Sequence, residues 1–165
     1  SRRSRPKQGV LTMSNLGHAG AMLMLLFGGL ATGGIWVIAV DRLAVWNRMS
    51  VVEYATDFRR TLKHVDPMMP IFMSLSGLGA ILFSIHSSGT SRVLGWLGLT
   101  CLAVIMVGSA LLGEPINSKF RRLAEGTPPE GAEELRAFWR RFHFARTGVA
   151  VAALVFLIAA VIAAL

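Results

Sequence analysis

The sequence predicts an all-α integral membrane protein, a four-helix bundle with amphipathic helical loops on one side of the bilayer. Three observations predict it. Of the 165 residues, 53% are hydrophobic and only 16% are charged, against about a quarter charged in an average soluble domain. The uncharged residues gather in runs of about twenty, the length that crosses roughly 30 Å of hydrocarbon at 1.5 Å per helical residue. The charged residues gather between those runs, chiefly in two long connections. The length suits a single membrane domain over residues 1–165.

The first span falls at about residues 19–40. It is longer than the core of a cleaved signal peptide, and no small-x-small cleavage site precedes Asp41, so it reads as a retained helix. The connection that follows is patterned. Ser50 and Glu53 form a capping box, and Val51, Ala55, Phe58, Leu62 and Val65 then recur at helical spacing. That predicts an amphipathic helix over about residues 51–65, lying at the interface or across the bundle mouth.

The second and third spans, at about residues 67–85 and 93–113, are joined by a tight polar turn and form a helical hairpin. Beyond them, residues 115–125 can form a short helix ended by Gly126, and Thr127-Pro128-Pro129-Glu130-Gly131 breaks it. From Ala132 nothing interrupts helix, so the fourth span, at about residues 145–165, should extend well past the membrane on its N-terminal side. Leu135, Phe138, Phe142, Ala145 and Val149 mark its apolar stripe. Gly29 and Gly33 make a G-x-x-x-G, and Gly95 and Gly98 lie in the third span; close helix packing is the predicted role. Thr32, Ser74, Ser76, Thr100 and Ser109 are the polar residues within the spans, and helix–helix hydrogen bonds suit them.

Charge sets the topology and excludes several functions. The net charge is +8, but the bases flank apolar spans, where they meet headgroups, and no zinc-finger spacing, RNA-binding motif or phosphate loop accompanies them. Nucleic acid is therefore excluded as a partner and membrane lipids are expected instead. Five Lys/Arg (Arg2, Arg3, Arg5, Lys7, Arg92) fall on the side of the termini and twelve on the side of the long connections, together with all nine acids. The positive-inside rule places the long connections in the cytoplasm, and a bacterial plasma membrane is the expected location. The span interiors hold no Asp, Glu, Lys, Arg or His, which argues against a proton-coupled transporter or ion pump. The single cysteine, Cys101, lies in an apolar run and allows no disulfide framework.

Chemistry concentrates at the cytoplasmic mouth. Trp139, His143 and Arg146 stand at i, i+4 and i+7 on one helix face. Glu114, Pro115 and Asn117 end the third span on that side, His64 and Asp66 open the second, and Asp41 closes the first. Two readings follow. Trp and Arg can anchor a helix at the headgroups. Alternatively the helix ends converge on a pocket, where His, Asp and Glu exchange protons, Arg and Asn stabilise an oxyanion, and Trp stacks on an aromatic ligand. In the second reading Arg146 pairs with Glu114, Asp66 or the Asn117 amide. The histidines also fall in two pairs, His18 with His86 and His64 with His143, so a bis-His haem in each leaflet is a further reading.

The stretch E-P-I-N at residues 114–117, followed by W-R-R-F-H-F-A-R at residues 139–146 and a last apolar helix, resembles the family of small membrane proteins that contains the fungal anthrone oxygenases and many bacterial members of unknown function. A Gly-rich first span and D-P-M-M-P at residues 66–70 also fit. The resemblance implies a four-helix membrane bundle and, for the fungal members, oxidation of an anthrone to an anthraquinone by molecular oxygen without a cofactor. Asn117, Trp139 and Arg146 match its motif. His143 lies inside the motif and is the preferred general base, with Asn117 and Arg146 as its catalytic partners. Trp139, His64, Asp66 and Glu114 are expected to bind substrate. No metal ligand set and no cofactor are expected. Three functions stay open: an oxygenase of a lipophilic aromatic molecule, a non-enzymatic subunit serving a membrane-protein partner or a second copy of itself, and a haem or metal redox protein.

Overall fold

A computed structural model describes residues 14–165. The N-terminal bases Arg2, Arg3, Arg5 and Lys7, on which part of the topology count rests, lie outside the described residues. The described chain is helical throughout, in five continuous stretches: α1 (Asn15–Trp46), α2 (Val51–His64), α3 (Met68–Ile85), α4 (Gly89–Arg122) and α5 (Ala132–Ile162). All but α2 are long and apolar enough to cross a membrane. α1 packs on α3, α3 on α4, α4 on α5 and α5 back on α1, which closes a four-helix ring. α2 lies outside the ring, against the C-terminal part of α4 and the start of α5.

Local chemistry explains where α2 begins and which face it buries. The Ser50 hydroxyl accepts from the Glu53 amide while the Glu53 carboxylate accepts from the Ser50 amide at 2.9 Å, so the predicted capping box is formed. Ala55, Phe58 and Leu62 are buried as their spacing predicts, and Tyr54 joins them. They meet Trp46, Phe120 and Trp139 in an aromatic cluster that closes this end of the bundle. The Phe58 ring lies 4.9 Å from Phe120, 5.0 Å from Trp139 and 5.3 Å from Trp46, in each case edge to face.

Inside the ring, small residues set the spacing. A Cβ at Gly20 would stand 2.5 Å from the Phe83 amide nitrogen and 2.8 Å from the Gly79 carbonyl oxygen, so α1 and α3 touch backbone to backbone. Gly98 instead receives the Leu157 side chain, with a Cβ 2.5 Å from its Cδ2. Gly29 and Gly33, in contrast, meet nothing within 4 Å, and the role predicted for their G-x-x-x-G passes to Gly20 and Gly79. Ser76 donates to the Met24 carbonyl at 2.9 Å and Thr32 to the Ala150 carbonyl at 3.3 Å, both across helices. Thr100 bonds back to Trp96 on its own helix.

Three expectations are corrected. Asp41 does not close the first helix, and Pro115 does not end the third. A π-helical turn, Ile38–Arg42, carries α1 on to Trp46, and a second, Ser109–Gly113, carries α4 on to Arg122. Proline has no N–H and its ring displaces the carbonyl one turn back; the wider turn immediately before Pro115 makes room for it. The third correction concerns α5. Its inward face is Trp139, His143, Thr147, Ala150, Ala153 and Leu157, while Phe138, Phe144 and Ala145 point outward. Lipid is as apolar as Leu, so in a bilayer the large apolar residues gain nothing by turning inward, and small and polar residues take the interface.

Candidate functional site

The site lies where the aromatic cluster meets the ends of α3, α4 and α5. A cavity of about 310 Å³ is lined there by Asp66, Met69, Pro70 and Met73 from α3 and the turn before it, by Met106, Ser109, Ala110, Gly113, Glu114 and Asn117 from α4, and by Trp139 and Arg146 from α5. Pro70, Met106 and Ala110 are exposed on the outer surface. The cavity thus reaches the lipid-facing side between α3 and α4, with its polar groups at the end of the bundle that α2 covers.

Two hydrogen-bonded chains hold those polar groups. In the first, Trp139 Nε1 donates to Asn117 Oδ1 at 3.1 Å, Asn117 Nδ2 donates to Asp66 Oδ2 at 3.3 Å, and Arg121 donates to the same oxygen at 2.8 Å. Arg121 also bridges to Glu114. In the second, Arg146 donates to His143 Nδ1 at 2.8 Å, and His143 Nε2 donates to the Ile35 carbonyl at 3.0 Å. A guanidinium has only donors, so Nδ1 is the acceptor and the proton of a neutral imidazole sits on Nε2. The His143 ring stacks on Trp139, 4.7 Å between centroids and 16° from parallel, which ties the two chains together.

Five of the seven residues singled out in the sequence line the cavity: Asp66, Glu114, Asn117, Trp139 and Arg146. His143 does not. It is 0% exposed and stands behind Arg146 with both ring nitrogens engaged. His64 lines a separate outer groove with Arg59, Arg60 and Lys63. The expected pairing of Arg146 with an acid is not formed. Arg121 takes both Asp66 and Glu114; among the described residues Arg146 contacts His143, a Ser109 hydroxyl at 3.4 Å and the Phe142 ring 5.7 Å from its Cζ, and Asp66 acts on it only through space. Its Nε is enclosed and has no hydrogen-bond partner among the described residues.

Arg121 is the residue that sequence reading missed. Glu114, Asn117, Ser118 and Arg121 stand at i, i+3, i+4 and i+7, and Ser118 also donates to Glu114 at 2.9 Å. That spacing was visible, but only a helix continuous through Pro115 gives it meaning. The Ile35 carbonyl had no signal in the sequence; it lies just before the π turn Ile38–Arg42, as Ser109 opens the other π turn.

His18 and His86 each bond a carbonyl on their own helix, Ser14 at 3.0 Å and Leu82 at 2.8 Å. Among the described residues no group of three or more His, Cys, Asp or Glu side chains is placed to hold a metal ion.

Fold and site together define a small membrane bundle with one cation-bearing apolar cavity at the end of its helices. The model of the anthrone oxygenase family matches residues 58–156, more than half of the chain, and the protein belongs to that family. The matched stretch contains every cavity-lining residue, from Asp66 to Arg146. No curated protein and no solved structure matches the chain.

Proposed function

We propose that the protein is an oxygenase that converts a lipophilic aromatic ketone with an acidic methylene, of the anthrone kind, to the corresponding quinone in this cavity. The observation that carries the reading is Arg146, a cation that forms no ion pair among the described residues, is attracted by Asp66 only through space, and faces a largely apolar cavity that opens to hydrocarbon. A buried charge lacking a counterion is costly, and an oxyanion formed from a carbonyl would supply one. The volume, about 310 Å³, falls at the lower end of small-molecule sites. The substrate partitions into the bilayer and reaches the cavity between Pro70, Met106 and Ala110.

The chemistry is assigned as follows. The Asp66 carboxylate takes a methylene proton, and the electron pair delocalises onto the ketone oxygen, which Arg146 stabilises. The carbanion carbon bonds to molecular oxygen, the peroxide takes back the proton held on Asp66, and the resulting hydroperoxide loses its remaining C–H proton and hydroxide as water. One methylene and one O₂ thus become one carbonyl and one H₂O, with no other oxidant. Trp139 forms a wall against the rings, and Asn117 holds Asp66 and Trp139 in register. His143 acts through Arg146, as a positioning residue; Nδ1 becomes available as a base only if Arg146 leaves it.

The test is oxygen uptake and quinone absorbance with a hydroxylated anthrone and protein in lipid nanodiscs, corrected for spontaneous oxidation. Asp66→Asn should slow turnover by about 10²–10⁴-fold, as for loss of a general base, and Arg146→Gln by about 10²–10³-fold, as for loss of an oxyanion donor. His143→Gln separates the two roles for that residue. Glutamine can accept from Arg146 and donate to Ile35 but takes no proton, so it should retain most of the activity that His143→Ala loses. Equal loss in both variants would return His143 to the role of base. Turnover no faster than spontaneous oxidation, or an unchanged rate in Arg146→Gln, would refute the oxygenase reading.

A further inference from the structure

A second concavity lies on the outer face of the same end, between α2 and the C-terminal part of α4. It measures about 480 Å³ and is lined by Arg59, Arg60, Lys63, His64 and Arg121, with Glu125 as its one acid. Arg121 is already committed to Asp66 and Glu114. Arg60 and Lys63 have no ion pair and no side-chain hydrogen bond among the described residues, and both are exposed. Arg59 is fixed in place: Nε donates to the Phe120 carbonyl at 2.8 Å and Nη2 to the Thr127 carbonyl at 3.2 Å, while Nη1 is enclosed with no partner. Like charges so placed repel one another, and a shared counter-anion removes the repulsion.

We propose that this groove holds the phosphate of an anionic phospholipid. The choice of a lipid phosphate over a free one rests on position. Lys63 and His64 end α2 just before Met68, the first residue of a membrane-spanning helix, and Met68 and Ile71 are exposed apolar side chains on that helix. A headgroup in the groove therefore has a lipid-facing surface directly beneath it for its acyl chains. Several donors converging on one site suit a phosphate, which accepts on several oxygens. The occupant would brace α2 and α4 against each other, and Arg121 stands on the boundary between this groove and the cavity. The inference is independent of the oxygenase reading, since neither Arg60 nor Lys63 lines the cavity.

The test uses the full chain in nanodiscs of phosphatidylcholine, with or without phosphatidylglycerol, read by thermal midpoint and by lipid retained in native mass spectrometry. Phosphatidylglycerol should be retained and should raise the midpoint. Each basic residue near an anionic surface changes affinity roughly fivefold, so Arg60→Gln with Lys63→Gln should weaken retention by about 25-fold. The charge-keeping pair Arg60→Lys with Lys63→Arg should restore it. Arg48→Gln, an exposed base outside the groove, should leave it unchanged. Three results would overturn the proposal: no response to phosphatidylglycerol, an equal loss in Arg48→Gln (general surface attraction), or full protection by inorganic phosphate in neutral lipid.

Discussion

Replacing Phe58 by alanine removes the ring on which the closed end of the bundle is built. Phe58 is 0% exposed and touches Trp46, Tyr54, Phe120 and Trp139, all within 5.3 Å between ring centroids. α2 is amphipathic, and its other face carries Glu53, Arg60 and Lys63, all exposed, so water competes for this face as it does not within the spans. A buried Phe→Ala change costs about 3–5 kcal/mol. At about 1.4 kcal/mol per tenfold, the population with α2 lifted off should rise by roughly 10²–10³-fold. The assay is thiol labelling at Ala55→Cys in a Cys101→Ala background. Ala55 is fully buried on the inward face of α2, so a water-soluble maleimide reaches it only when the helix detaches. In the wild-type context labelling should be slow; with Phe58→Ala added it should accelerate by about the same factor while re-docking stays faster than labelling. Rates agreeing within about threefold, well under one power of ten, would mean that the cluster does not hold α2, and the reasoning from burial to docking would fail.

Two further outcomes are expected. Tyr54 is the chain's single tyrosine, its hydroxyl is buried with no hydrogen-bond partner among the described residues, and burial pushes its pKa up, against a smaller opposing effect of Arg136. The group binds its proton more tightly when folded, so its contribution is fully present below about pH 10, the unfolded value, and is lost as pH rises above that. Tyrosinate absorbance should therefore lag well behind a free tyrosine and appear together with unfolding, and Tyr54→Phe should cost nothing or stabilise by about 1 kcal/mol; a normal titration midpoint near 10 would refute the burial. For the ring itself, Gly20→Leu should lower the thermal midpoint in detergent, because backbone atoms of α3 cannot yield to a Cβ, at about 1–3 kcal/mol or more. Gly33→Ala, which meets nothing within 4 Å, should stay within about 0.5 kcal/mol.

Much of the fold was legible because hydropathy reads membrane spans directly. The four apolar runs are the four long helices, and the Ser50–Glu53 box marks the start of α2. What could not be read was which way each span faces. In water the apolar stripe of α5 would mark the core; here only part of it does, for Phe138 and Ala145 face outward while Leu135, Phe142 and Val149 are half-buried. The G-x-x-x-G at Gly29 and Gly33 misled for a related reason: the motif permits close packing but does not say which helix arrives. For the site, the polar groups at the helix ends were visible, and the spacing of Trp139, His143 and Arg146 places them on one face as observed. The division of partners was not visible, because it depends on distances between helices. Arg121 lies nearer the two acids than Arg146 does, and that leaves Arg146 without an ion pair.

The two π turns connect these points. A π turn inserts one residue into a helix, and one residue corresponds to about 100° of rotation. Without the turn at Ser109–Gly113, everything after it would be rotated by that amount, and Asn117 would leave Trp139 and Asp66 while Arg121 left Asp66. Both turns flank the Arg146–His143 pair, one opening with the hydroxyl that Arg146 reaches and the other following the carbonyl that His143 holds. A helix alone would satisfy its own backbone and offer the cavity only side chains. The irregular turns accompany a backbone acceptor for His143 at Ile35, behind the cavity, and a re-aimed helix end at Glu114–Arg122 that lines it. That is how α4 can bring a carboxylate and an amide to the cavity where Asp66, from the turn before α3, and Arg146, from α5, also stand.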